Sequence, residues 1–185
     1  AALLAVLVGW WPGRRLAVHP TGWLAWATLV PLALPAALLF DAWWLQVGPQ
    51  SGIGAFAART DQVSLLRSGV LGLTLVCWGW PITSLVLAVV GGRGSARLLA
   101  HLDGVPWWRR FLQAAREDAG QLFLGWLLTA AFIATNTVCF DLAQVASWGF
   151  ELRSLDARGA PASTVFQAGL PALLLSVVVV VVAAG

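Results

Sequence analysis

The chain has no lysine, only two cysteines and two histidines, and just 10% charged residues in a length of 185. Each shortage excludes something. Without lysine there is no Gly-x-x-x-x-Gly-Lys-Ser/Thr loop, so the usual ATP-binding P-loop is ruled out and any ATP hydrolysis must come from a partner. Soluble domains carry roughly a quarter charged residues, and a fold with so few could not cover the apolar surface of a 59% hydrophobic chain. Cys77 and Cys139 both lie inside apolar runs, which makes them small buried hydrophobes rather than a disulfide framework or a metal site. His19 and His101 have no second histidine or carboxylate at ligand spacing, so no zinc or haem site is expected. No nucleophile-elbow spacing links serine, histidine and aspartate. The chain therefore reads as a non-enzyme with no catalytic residue and no cofactor. A polar basic domain, the footprint of a nucleic-acid binder, is missing as well.

What is present is apolar length. Mean hydropathy is +0.82, and a bilayer core of about 30 Å calls for helices of about 20 residues. The expected fold is all-α: a polytopic helical membrane protein, a single domain over 1–185 in which lipid supplies most of the burial. Five spans are predicted, at about 1–11, 22–45, 68–90, 121–145 and 164–184. The first is too short to cross alone and reads as a helix cut by the start of the chain, not as a signal peptide. Pro12-Gly13-Arg14-Arg15 predicts a loop. Pro31 and Pro35 predict a kinked second span, and the glycine-rich 46–67 predicts a loop holding a short helix near 55–66.

The arginines orient these spans. Loops 12–21 and 91–120 hold seven of the eleven, against four in 46–67 and 146–163 beside Asp61, Glu151 and Asp156. Basic residues favour the cytoplasmic side. Trp10/Trp11, Trp43/Trp44 and Trp107/Trp108, with Trp23 and Trp148, fall near span ends, where the amphipathic indole prefers the headgroup level. Gly69 and Gly72 are not at the four-residue spacing of the helix-dimer motif and receive no role. Trp78 and Trp80 beside Pro81 read as packing at a kink.

The interruption 91–120 is longer than a helix connection needs. Ser95 suits the cap of a short helix closed by Gly104, and Pro106 suits the start of a second. In that second helix Trp107, Trp108, Phe111, Leu112 and Ala115 take one side, and Arg109, Arg110, Gln113, Arg116 and Glu117 the other, the pattern of a helix lying on the membrane surface. The bland alternative is an interfacial loop with no partner.

At these residues the chain resembles the permease subunits of type I ABC importers, in their ferric-iron, thiamine and phosphonate branch. That family carries a cytoplasmic coupling loop reading Glu-Ala-Ala, three residues, Gly, nine residues, Ile-x-Leu-Pro. Leu98-Leu99-Ala100-His101-Leu102-Asp103-Gly104 stands in the place of its first part, with Leu98 where the family has glutamate and Leu99 where it has alanine. Ala114-Ala115-Arg116-Glu117 stands where it closes. The run Leu29 to Pro35 is similar to the family's proline-bearing span, and Thr135 to Val145 to the outer end of its next span.

The resemblance implies a membrane-spanning component of a binding-protein-dependent transporter in the cell inner membrane, carrying ferric iron or a small organic or phosphonate solute. It implies a cytoplasmic ATP-binding subunit docked on Leu98 to Gly104, a second permease half or a homodimer mate, an extracytoplasmic solute-binding protein, and the lipid bilayer around them. The alternative is a non-transporting scaffold derived from a permease. Asp141 is the ionisable residue of greatest interest, because a charge in or near a span is costly and commonly faces a cavity. With Thr135, Asn136, Thr137 and Gln144 it makes a candidate translocation lining; the bland reading is a carboxylate solvated at the headgroup level. Asp41, beside Trp43 and Trp44, reads as solvated.

Overall fold

The computed structural model describes residues 1–20, 22–90 and 106–184, and over these residues the protein is all-α, with no strand. The helices are α1 (Ala2–Val18), α2 (Trp23–Ala33), α3 (Ala36–Val47), α4 (Gly52–Arg59), α5 (Val63–Val90), α6 (Trp107–Glu117), α7 (Ala119–Thr135), α8 (Thr137–Leu142), α9 (Trp148–Ala157) and α10 (Ala162–Ala184). Among the described residues α5 is the one helix long and apolar enough to cross a membrane. Its 28 residues make a rod of about 42 Å. Taking each sharply bent pair, α2 with α3 and α6 with α7, as one span raises the number to three.

α1, α2, α3, α4 and α7 pack on α5. Ala5 and Gly9 of α1 face Gly79, Thr83 and Ser84, while Gly13 faces Ser84 and Leu87. Rising numbers on one helix meet rising numbers on the other, so α1 and α5 run parallel. On α7, Thr129 faces Gly79 and Gly125 faces Thr83, so α7 runs antiparallel to α5. The backbones approach closely because the facing positions are glycine, alanine, serine and threonine, the chemistry that packs helices where no hydrophobic force acts between them. Ser84 Oγ donates to the carbonyl of Gly9 across the seam at 2.8 Å and lies 3.2 Å from the carbonyl of Trp80 in its own helix. Thr74 satisfies its buried hydroxyl within its own helix, donating to the carbonyl of Val70 at 2.8 Å.

Parallel neighbours require a return path. α2 lies beside the late part of α5, where Ala25 and Leu29 share a cleft with Leu85 and Val89. α3 lies beside the early part, where Ala36 and Phe40 bury against Val70, Leu71, Leu75, Cys139 and Ala143. The chain thus travels back along α5 in two pieces set at 91°.

Several helix limits differ from the sequence expectation. The predicted loop Pro12–Arg15 is helical, since α1 continues to Val18 with Pro12 inside it; the close seating of Gly13 on α5 outweighs the one backbone bond that proline removes. The predicted span 22–45 is broken rather than kinked. Pro31 stays inside α2, and the break falls at Leu34-Pro35, where proline holds its predecessor extended. The short helix of the 46–67 loop lies at Gly52–Arg59, earlier than predicted, because Ser51 caps it by accepting from the Gly54 amide at 3.0 Å. α5 begins at Val63 and takes Arg67 into the helix. The predicted span 121–145 stops at Thr135, where Asn136 starts α8. The surface helix after Pro106 forms as expected, with Trp107, Trp108, Phe111 and Leu112 exposed.

The hydroxyls of Thr83 and Thr129 are buried in the seam with no hydrogen-bond partner among the described residues. An unsatisfied buried hydroxyl costs about 1–3 kcal/mol, and an isosteric apolar group removes that cost. Thr83→Val is therefore expected to stabilise the protein by about 1 kcal/mol, read as a raised midpoint of thermal unfolding in detergent.

Candidate functional site

A group of polar and charged side chains gathers at the start of α5, opposite the arginine-rich ends of α1 and α6. It is built by short helices with well-made caps. Asn136 Oδ1 accepts from the amide of Cys139 at 3.4 Å and opens α8, and Ser147 Oγ accepts from the amide of Phe150 at 3.2 Å and opens α9. Glu151 in the first turn of α9 is favoured there by the helix dipole. Between the two helices the chain turns sharply at Gln144, whose φ of 52° is left-handed. A non-glycine residue held there stores about 1–3 kcal/mol and persists only where its surroundings fix it. Here the Gln144 side-chain oxygen accepts a hydrogen bond from the guanidinium of Arg67, and Arg67 lies over the ring of Trp44 at 5.1 Å.

Asp141 accepts from Arg153 Nη2 at 2.7 Å. The pair is largely exposed, with side chains 38% and 59% accessible, so it contributes at most about 1 kcal/mol to stability. Its carboxylate and guanidinium instead offer one charge of each sign to a cavity of about 640 Å³ lined by Asp141, Gln144, Val145, Phe150, Arg153 and Ser154.

Of the five predicted lining residues, Asp141 and Gln144 reach this cavity. The other three serve local structure. Thr135 Oγ1 donates to the carbonyl of Phe132 at 3.0 Å, Asn136 caps α8, and Thr137 packs against Gly149. Asp41 is exposed. Cys139 is fully buried in the apolar cluster beside α3 and Cys77 is half-buried, both as free thiols. The coupling residues Leu98, Leu99, Ala100, His101, Leu102, Asp103 and Gly104 lie outside the described residues. Among the described residues no three His, Cys, Asp or Glu side chains converge on a point that would hold a metal.

Arg67, Arg153 and Trp44 are not among the site residues that sequence reasoning singles out. They come from three different helices, and no spacing in the sequence joins them. The small-residue seam does carry a sequence signal, since Ala5, Gly9 and Gly13 recur every four residues.

Trp78 links the α2–α3 break to the last turn of α7. Trp78, midway along α5, donates its indole N–H to the carbonyl of Leu34 at 3.2 Å, at the α2–α3 break. Its ring also meets Phe132 edge-on at 6.1 Å, one turn before the α7–α8 break. The α2–α3 break and the end of α7 therefore flank the same stretch of α5. No protein family, curated protein or solved structure matches this chain.

Proposed function

We propose that the protein is a permease half, embedded in the cell inner membrane, that moves a solute using ATP hydrolysed by a partner subunit. The observation that supports this most is the break between α2 and α3, where the Leu34 carbonyl accepts from the Trp78 indole midway along α5. Non-helical backbone at membrane depth is tolerated where it is buried in protein or lines a water-filled cavity, and solute sites of transporters are commonly formed by discontinuous helices. In this reading the Asp141–Arg153 cavity lies at the end where an extracytoplasmic binding protein would deliver solute. α1, the α2–α3 pair, α5, α7 and α10 are the spans in this reading, and the arginine-rich ends of α1 and α6 face the cytoplasm. Leu98 to Gly104 is the contact through which the ATPase acts, as the resemblance implies.

The protein, solubilised and affinity-purified from its native membrane, is expected to bring a cytoplasmic ATPase with it. Gly104→Trp is expected to abolish the stimulation of that ATPase by solute. Recovery without any ATPase, or stimulation unchanged by Gly104→Trp, overturns the permease reading and leaves a scaffold.

A further inference from the structure

The corner between α1 and α2 holds a second charged pocket, at the opposite end of α5 from the solute cavity. It has a volume of about 330 Å³ and is lined by Trp11, Arg15, His19, Gly22, Trp23 and Leu24. Trp11, Arg15 and His19 are spaced four apart, so they share one face of α1 as it ends. The Arg15 guanidinium lies over the Trp11 ring at 5.3 Å, a contact that holds it at the pocket. Among the described residues Arg15 meets no carboxylate, whereas its neighbour Arg14 is paired with Asp118 at 3.5 Å. Arginine presents a planar fork of donors suited to phosphate oxygens, and His19 adds another donor one turn on.

The surroundings decide what kind of phosphate. Trp11, Val18, Trp23 and Trp26 are between 60% and 76% exposed, an apolar rim that water would not favour. On the adjoining side of the same corner lies a cleft of about 480 Å³ lined by Leu16, Ala17, Ala25, Leu29, Leu85 and Val89. A cationic pocket beside an apolar cleft matches an amphiphile with an anionic head, not a free anion. We infer that the α1–α2 corner is a binding site for an anionic phospholipid, its phosphate held by Arg15 and His19 between the indoles of Trp11 and Trp23 and an acyl chain lying in the Leu16–Leu29 cleft. The inference rests on the membrane-embedded reading above and places the lipid in the cytoplasmic leaflet, where anionic lipids attract basic residues.

The test compares purified protein in neutral detergent with added phosphatidylglycerol, phosphatidylcholine or inorganic phosphate, following thermal unfolding by intrinsic tryptophan fluorescence. Phosphatidylglycerol is expected to raise the midpoint by about 5 °C more than phosphatidylcholine, the size of shift that near-saturating binding gives. Arg15→Gln and His19→Gln are expected to abolish the difference while leaving the lipid-free midpoint unchanged, both side chains being exposed. Equal shifts with the two lipids, a preference retained by Arg15→Gln, or the full shift with inorganic phosphate alone would each overturn the lipid site. Resistance of the protein to carbonate extraction from membranes is measured separately. If the protein is extracted, the embedded reading fails; if it resists extraction without any lipid preference, only the site fails.

Discussion

Gly13→Leu is expected to be among the most damaging single substitutions in this protein, destabilising it by about 3 kcal/mol and lowering its unfolding midpoint by about 6–12 °C. A β-carbon at Gly13 would lie 2.8 Å from Ser84 Cα and 2.9 Å from both Ser84 O and Leu87 Cβ. Two of these three atoms are backbone of α5 and cannot swing aside, so the helices must separate. Separation also stretches the bond from Ser84 Oγ to the Gly9 carbonyl. Gly9 is confined more tightly still, because its β-carbon would run into the carbonyl of Trp80. The control lies within α5: nothing stands within 4 Å of a β-carbon at Gly72, so Gly72→Ala is expected to stabilise by up to about 1 kcal/mol through helix propensity. Thermal unfolding in detergent distinguishes the two, and a Gly13→Leu protein as stable as the parent would disprove the close α1–α5 contact.

Asp118→Leu is expected to cost about 3 kcal/mol. Asp118 sits at the joint between α6 and α7, its side chain only 6% accessible. It accepts from the Trp10 indole N–H at 2.8 Å and pairs with Arg14 Nε at 3.5 Å, tying α1 to a joint bent by 61°. Trp10 is fixed further by its edge-on contact with Phe111 of α6, 4.9 Å between ring centres, and by Arg14 over its face at 5.8 Å. Leucine would remove the acceptor of the Trp10 indole and the carboxylate beside the Arg14 guanidinium, and would offer neither group a replacement. Asp118→Asn keeps an acceptor for the indole and loses only the charge, so its cost is expected to be smaller. The order parent, Asn, Leu in unfolding midpoint supports this account, and equal midpoints for Asn and Leu would place the effect in packing instead.

Much of the architecture is legible in the amino-acid sequence. Low charge and long apolar runs lead directly to helices. The amphipathic alternation after Pro106 identifies α6 and its exposed tryptophans. The departures from expectation cluster at proline, glycine and arginine, residues whose local meaning depends on what lies opposite. Pro12-Gly13-Arg14-Arg15 has the composition of a turn, yet it is helix because Gly13 fits against Ser84 and Arg14 reaches Asp118, contacts separated by more than 70 residues in the chain. Pro31 and Pro35 look alike in sequence, yet only the second breaks the chain, at the point where Trp78 takes up the Leu34 carbonyl.

The site shows the same division. Asp141 and Gln144 are visible as polar residues interrupting an apolar segment, whereas their partners Arg153 and Arg67 have the appearance of ordinary loop arginines. By itself the sequence determined the helical class, the apolar surface and which segments carry charge, because these follow from composition and from periodicities of a few residues. Only the tertiary structure decided that α1 and α5 lie parallel, that the α2–α3 path breaks beside Trp78, and which arginine meets which carboxylate. Those outcomes depend on close approach between residues far apart in the chain, and backbone sterics and ion pairing act through distance in space rather than along the sequence.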